Sequence, residues 1–296
     1  MKEIVVISGK GGTGKTSLVA AFAGLADKAV LADCDVDAAD LHLILEPKIR
    51  RRYDFSGGKR AAIITEKCVG CGKCEQICRF DAIRFNGQAN DMVEKTFTID
   101  PISCEGCKVC VEFCPADAIV FEQCINGEWF ISDTRFGTMV HARLGVAEEN
   151  SGKLVSRIRK EARRIATEER KNLLIVDGSP GIGCPVIASI TGADLLLIVT
   201  EPTLSGKHDL ERVADLAAGF NIPSLVCINK FDLNQDMTAS IEDYAAKRGV
   251  RLAGRIRYDE AFTKAQIMKA TVLEYTGAAV SEDVRALWRN LTYALG

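Results

Sequence analysis

The sequence predicts a doubly wound α/β sheet whose chain is interrupted by a small, cysteine-rich α+β insert. Three observations carry the prediction. Short, continuous apolar runs alternate with helix-forming stretches, a glycine-rich loop follows the first run, and two tight cysteine runs break the alternation between residues 61 and 123. Continuous apolar runs, rather than apolar–polar alternation, suit strands buried on both faces of a parallel sheet. Strand and helix in turn give the doubly wound arrangement.

The elements follow in order. Residues 3–8 and 29–33 are Ile/Val/Ala-rich runs, and Lys15–Ala26 between them is rich in helix formers. Further strands are expected at 172–177, 194–200 and 223–229, with helices near 184–190 and 205–219. A weaker strand at 250–256 and helices near 236–248 and 278–294 complete the sheet. Met139–Val146 reads as one more strand, and the Lys/Arg/Glu-laced pattern of Ser151–Thr167 as a helix leading back to the sheet. From Pro47 to Arg60, with Arg50, Arg51, Arg52, Lys59 and Arg60 around Gly57-Gly58, the chain reads as a solvated linker. A docking patch for an acidic redox partner is the sharper alternative. The domains are therefore expected at 1–60 and 124–296 for the sheet and 61–123 for the insert.

A net charge of −2 over 296 residues argues against a general nucleic-acid or membrane-surface binder. Eight of the twelve cysteines fall in the two tight runs, a spacing that favours metal over disulfides and a reducing compartment. The apolar run near Met1 is too short for a signal-peptide core, and no stretch approaches the ~20 apolar residues of a membrane span. A soluble cytoplasmic protein is expected.

The glycine-rich loop reads Gly9-Lys10-Gly11-Gly12-Thr13-Gly14-Lys15-Thr16, followed by Ser17. Glycines let such a loop aim its N–H groups at phosphate oxygens, at a helix N-terminus. Lys15 would neutralise the β- and γ-phosphates, and the Thr16 hydroxyl would reach Mg2+. With its early Lys10, the loop resembles the deviant Walker A family of MinD, ParA, Mrp and the nitrogenase iron protein, some of whose relatives are cobyrinic acid a,c-diamide synthases. The resemblance covers roughly residues 1–46 and 134–260. It implies ATP and Mg2+ as ligands, a homodimer closed around a nucleotide sandwich, and a Lys10 that reaches the partner's nucleotide. Charge stabilisation of the transferring phosphoryl would then depend on dimer formation.

The same resemblance places Asp33 in the magnesium shell and Asp35 on the attacking water. Asp37 and Asp40 solvate or cap the next helix. Asp177, at the end of Leu173-Leu-Ile-Val-Asp177, would act through a magnesium-bound water, and Gly181 would sense the γ-phosphate. Lys10, Lys15 and Asp35 are thus the catalytic candidates. Asn229 and Asp232 stand in Asn229-Lys230-Phe231-Asp232, which matches the guanine-reading Asn-Lys-x-Asp of GTPases. In the MinD-like family the same strand end supplies an Asn to adenine, so ATP and GTP both stay open, with the context favouring ATP. Arg257 stands where relatives often have a proline beside the base.

The two cysteine runs are Cys68-x2-Cys71-x2-Cys74-x3-Cys78 and Cys104-x2-Cys107-x2-Cys110-x3-Cys114-Pro115. They form an internal repeat of period 36, from Cys68 to Phe85 and again from Cys104 to Phe121, with Asp81-Ala82-Ile83 matched by Asp117-Ala118-Ile119. The pattern resembles a bacterial two-cluster ferredoxin, in which the fourth cysteine of each run crosses to the other cluster. That resemblance assigns Cys68, Cys71, Cys74 and Cys114 to one 4Fe–4S cluster, and Cys104, Cys107, Cys110 and Cys78 to a second. The first run ends Cys78-Arg79 and so lacks the usual proline. A zinc ribbon is the competing metal site, but its cysteine pairs are usually well separated. So short an insert needs its clusters to complete its core. Cys227 reads as a buried hydrophobe. Cys124 has no partner at ligand spacing, Cys34 sits between the first-switch aspartates Asp33 and Asp35, and Cys184 follows the second switch near Asp177, where packing competes with a ligand or redox role.

Three functions compete. The first is an ATP-hydrolysing protein that couples nucleotide state to electron transfer, with a redox or iron–sulfur partner. The second is an Mrp-like cluster carrier, assembly factor or protein-positioning ATPase. An amidoligase ranks third: His42, His141 and His208 are the only histidines, and none offers the His-x-Glu pair of a fused glutaminase.

Overall fold

The computed structural model describes residues 1–27, 29–145 and 151–296, which divide into two compact units. One comprises Met1–Tyr53, Trp129–Arg143 and Ser151–Gly296. The other comprises Asp54–Glu128 and the segment that begins at Leu144.

The chain opens with β1 (Lys2–Ser8), α1 (Lys15–Leu25), β2 (Val30–Asp33), α2 (Leu41–Leu45) and β3 (Lys48–Phe55). Then come β4 (Gly58–Ile63), α3 (Lys73–Ile77), β5 (Ile83–Gly87), β6 (Thr96–Ile99), α4 (Val109–Glu112) and β7 (Ile119–Cys124). The third stretch holds β8 (Gly127–Thr134), β9 (Gly137–Leu144), α5 (Ser151–Glu168), β10 (Leu173–Asp177), α6 (Cys184–Ile190) and β11 (Leu195–Thr200). The chain ends with α7 (Leu204–Gly219), β12 (Ser224–Asn229), α8 (Gln235–Lys247), β13 (Arg251–Ile256), α9 (Ala261–Ile267), α10 (Val272–Tyr275) and α11 (Ala279–Leu295).

Nine strands form one sheet in the order β13-β12-β11-β1-β10-β2-β9-β8-β3. The pairings from β13 through to β9 are all parallel. β11 and β1, third and fourth in that order, have strands on both sides, and their Ile, Val and Leu side chains are buried. This is the outcome expected of continuous apolar runs covered by helices on both faces. On one face α1 packs through Leu18 and Phe22, and Phe22 stacks on Trp288 of α11 at 5.2 Å between ring centroids. On the other, Arg159 of buried α5 bonds Glu3 of β1 at 2.6 Å and the Ala188 and Thr191 carbonyls at the end of α6. A guanidinium this deep is tolerated because every nitrogen has an acceptor.

One expectation needs correction. Residues 47–60 are not a linker: most of them form β3 and the start of β4. β3 is the last strand of the sheet, so Lys48–Arg52 stay largely exposed, and Arg50 pairs with Asp133 at 3.2 Å. An edge strand tolerates, and is protected by, such charge. β8, with Trp129, Phe130 and Ile131 buried, was not anticipated, nor were α9 and α10. The expected strand 139–146 is β9, Gly137–Leu144; Val146 lies outside the described residues.

In the second unit the period-36 repeat extends to the backbone. Gly70, Gly72 and Asp81 have φ of 65°, 76° and 49°, and Gly106, Lys108 and Asp117 have 61°, 67° and 47°. Each pair of strands takes one member from each copy: β4 pairs antiparallel with β7, and β5 with β6. The copies therefore close on one another rather than standing side by side. Their shared core holds Ile83, Phe97 and Ile119 with the cysteines themselves, among them Cys68, Cys74 and Cys110.

Candidate functional site

The glycine-rich loop leaves β1 at Ser8 and enters α1 at Lys15. Gly12 and Gly14 have φ of 78° and 87°, a region that favours glycine. At Gly14 a Cβ would also stand 2.5 Å from Asn229 Nδ2. Asn229, at the end of β12, donates from that nitrogen to the Thr13 carbonyl at 2.8 Å and so fastens the loop. Gly9 does different work: a Cβ there would strike Asp209 on α7 at 2.2 Å, so this glycine allows the loop to lie against that helix.

The loop from Gly11 to Ser17 lines a cavity of about 500 Å3. Asp35 and Asp40 stand on one side, and Asn229 and Lys230 on another. Tyr258 and Asp259, with Phe262, Thr263 and Gln266 of α9, complete it. Gln266 donates to the Ser17 hydroxyl at 3.0 Å. α9 is the part of the site that the sequence did not reveal, because residues 257–277 carry neither a long apolar run nor a recognised motif. Arg257 lines the cavity too, but its guanidinium is tied to Asp283 at 2.6 and 2.9 Å.

Behind the loop, Asp33 and Asp177 lie opposite each other on neighbouring β2 and β10, both fully buried. Lys15 Nζ reaches Asp177 Oδ1 at 2.5 Å, Asp35 Oδ2 at 3.2 Å and the Thr16 hydroxyl at 3.3 Å. Burial alone would lower the Lys15 pKa, but Asp177, Asp35 and Asp33 outweigh it and raise the value. Burial, with the charge of Asp177, pushes Asp33 well above the usual carboxylate range. Asp35 is raised more mildly, by burial opposed by Lys15. Three buried oxygens have no hydrogen-bond partner among the described residues: Thr13 Oγ1, Asp33 Oδ2 and Asp177 Oδ2. Orphaned buried acceptors beside a phosphate loop fit an oxygen-seeking hard cation such as Mg2+.

The segments around Cys34 and Ser179–Gly181 are tied together beside this centre. Gly181, at φ 91°, donates to the Ser8 carbonyl at 2.8 Å, and the Ser179 hydroxyl donates to the Cys34 carbonyl at 2.6 Å. Burial pushes the Cys34 thiol far up. Lys10 points away from the cavity, donating to the Ser205 hydroxyl at 3.1 Å with Glu201 Oε2 at 3.6 Å. Asp232 accepts the Tyr258 N–H at 2.7 Å and is not among the lining residues.

The second unit has two cysteine pockets. One, about 20 Å3, is lined by Cys68, Cys71, Cys74 and Cys114, with Phe97, Pro115 and Ile119. The other, about 410 Å3, is lined by Cys78, Cys104, Cys107 and Cys110, with Arg79, Phe80 and Lys108. Each pocket thus draws three cysteines from one run and one from the other. Burial raises the Cys74 thiol to about 11 and raises Cys110 as well, each helped by the other cysteines of its own pocket. Among the described residues, no three His, Cys, Asp or Glu side chains converge closely enough to hold a single metal ion. Cys184 is exposed, Cys227 is fully buried, and the Cys124 thiol contacts the Gly58 carbonyl and the Asn126 side chain.

Sheet, loop and buried carboxylates define a P-loop nucleotide-binding protein. The profile of the CobQ/CobB/MinD/ParA nucleotide binding domain matches residues 4–272, and the chain belongs to that family. It is 36% identical over 236 residues to the uncharacterised protein MJ0578 of Methanocaldococcus jannaschii, covering 78% of this chain and 79% of that one. Among solved structures it resembles the Pyrococcus furiosus cell division ATPase MinD (TM-score 0.58, 16% identity, 99% of this chain and 98% of that one). It also resembles apo McdA from Cyanothece (TM-score 0.59, 18% identity, the whole of both chains). These two likenesses establish the α/β fold with its large, mostly parallel sheet. No helix among the described residues is long and apolar enough to cross a membrane.

Proposed function

We propose that the protein is a Mg2+-dependent ATPase of the MinD/ParA kind, a switch that dimerises around ATP, and that its nucleotide cycle governs an iron–sulfur unit. The observation that carries the switch is Lys15 held among Asp33, Asp35 and Asp177 beside orphaned buried oxygens. A γ-phosphate competes with Asp177 and Asp35 for that ammonium. With Lys15 drawn to the phosphate, both carboxylates would lose their countercharge and be free for other partners. Thr16, Asp33 and Asp177 would hold the magnesium, which supplies charge neutralisation at the phosphates. Asp35 orients the attacking water, and Lys10 of the partner copy stabilises the transferring phosphoryl. In this arrangement binding and chemistry separate. Lys15→Ala should lose ATP binding, whereas Lys10→Ala should bind ATP and fail to turn it over. A Lys10→Ala protein hydrolysing ATP at the wild-type rate would remove the trans-lysine step.

The two cysteine sets support cluster binding in the second unit. A cubane, unlike a lone ion, is gripped at its corners by thiolates spread around it, so its ligands need not converge on a point. Two closed sets of four favour electron transfer over release of a labile cluster. Family membership instead favours an ATP cycle used for carrying or positioning, as the resemblance to Mrp and MinD implies. Anaerobic reconstitution followed by iron and sulfide assay tests the clusters. Stoichiometric zinc without sulfide in iron-replete cells would replace them with a zinc site.

A further inference from the structure

Glu201 touches neither the cavity nor the carboxylate centre, yet it lies between two lysines at its edge, Lys10 of the loop and Lys230 beyond β12. It directly follows β11, which runs beside β1 on one side and β12 on the other. One carboxylate oxygen faces Lys10 Nζ at 3.6 Å, and the other accepts from Lys230 Nζ. Lys10 is secured a second time, by the Ser205 hydroxyl at 3.1 Å. Lys230 follows Asn229, which fastens the phosphate loop, and it lines the nucleotide cavity. Its backbone is left-handed at φ 57°, a conformation that favours glycine.

We propose that Glu201 is a positioning residue that parks Lys10 in its own subunit and shares its charge with Lys230, so that Lys10 is freed for the partner's nucleotide without leaving the carboxylate unpaired. The proposal rests on the trans role of Lys10. Its logic is competition. Glu201 is only 13% exposed, so it needs a cation beside it at all times. With Lys230 in place that need is met after Lys10 departs, and release is easy. Without Lys230, Lys10 becomes the sole countercharge and is held more tightly. The two partners of one carboxylate should therefore act with opposite signs. A purely structural ion pair gives no such reversal.

The test measures nucleotide-dependent dimerisation by sedimentation with a saturating non-hydrolysable ATP analogue, together with ATP turnover. Glu201→Gln is expected to tighten the dimer severalfold and raise turnover at low protein concentration. Ser205→Ala, which leaves the Glu201–Lys230 pair intact, should shift both the same way by less and guards against misfolding of the first variant. Lys230→Met should weaken the dimer severalfold, and that loss should vanish in the Glu201→Gln/Lys230→Met double variant. On a Lys10→Ala background none of these changes should alter the dimer. A weaker or unchanged dimer in both Glu201→Gln and Ser205→Ala overturns the proposal. So does a Lys230→Met defect that persists in the double variant. A Lys10→Ala protein with normal turnover instead removes the trans-lysine reading beneath it.

Discussion

The two units solve the problem of a core in opposite ways. The sheet unit fills its interior with aliphatic side chains such as Ile4, Leu18, Leu31 and Leu197. The cysteine-rich unit has few large apolar residues and puts Cys68, Cys74 and Cys110 where a core would be. Dispersion and the hydrophobic effect stabilise the first without help. The second offers far fewer such side chains, and a group held by its thiols would supply the missing core.

The largest effect should follow from stripping iron. We expect about eight irons per chain after anaerobic reconstitution, and Cys71→Ser should lose one cluster and spare much of the other. Chelation should abolish amide protection across Asp54–Glu128 and leave that of β1 and β11 intact. Equal loss in both units would break the comparison. Next comes the aliphatic core. Phe22→Ala removes a fully buried ring that stacks on Trp288 and should cost about 3–5 kcal/mol in denaturant melts, with cluster absorbance unchanged in the folded protein.

Smaller effects should localise to the nucleotide end. Lys10→Ala is expected to lower turnover about a hundredfold, since it removes one transition-state donor. Equilibrium binding of a fluorescent ATP analogue should stay near wild type in that variant and collapse in Lys15→Ala. The smallest concerns pH. His141 is buried, bonds the Ser132 hydroxyl at 2.9 Å and faces Phe130, and burial drops its pKa from 6.5 to about 4. Between those values the unfolded chain binds the proton that the folded one refuses. Stability is then full above pH 6.5, falls as pH drops toward 4, and loses nothing more on this account below that. The loss should be about 2 kcal/mol after allowing for residual exposure. It should shrink in His141→Gln, with chemical melts at several pH values as the measure.

How much of this was legible depended on which physics wrote the signal. Doubly buried strands such as β11 announce themselves because both faces demand apolar residues. The loop at Gly9–Thr16 is legible because only glycines permit its backbone and only a lysine supplies its charge. The cysteine spacing showed two sets of residues, and the pockets group Cys114 with Cys68, Cys71 and Cys74, and Cys78 with Cys104, Cys107 and Cys110. β3 hid because an edge strand satisfies one side only, and Lys48–Arg52 is polar for that reason. α9 hid because just two of its side chains, Ala261 and Ala265, are buried, too few for a periodic stripe. The Glu201 bridge was out of reach of any motif: it joins residues 10, 201 and 230, which meet only after the sheet forms.

The cysteine-rich unit leaves the sheet from the end of β3 and returns to it at the start of β8, and these two strands are hydrogen-bonded neighbours. Tyr53 and Trp129 mark the crossing, their rings stacked 4.1 Å apart and within 13° of parallel. In chain order most of the unit, Asp54–Glu128, is one long connection between these neighbouring strands. Such a connection is replaceable, because it asks only that its two ends meet, and the entropy of holding them together grows slowly with what lies between. Joining Tyr53 to Trp129 through Asn-Gly should give an ordinary two-residue turn and a freestanding nucleotide-binding domain. The same seam would accept a different module in place of the cysteine-rich one.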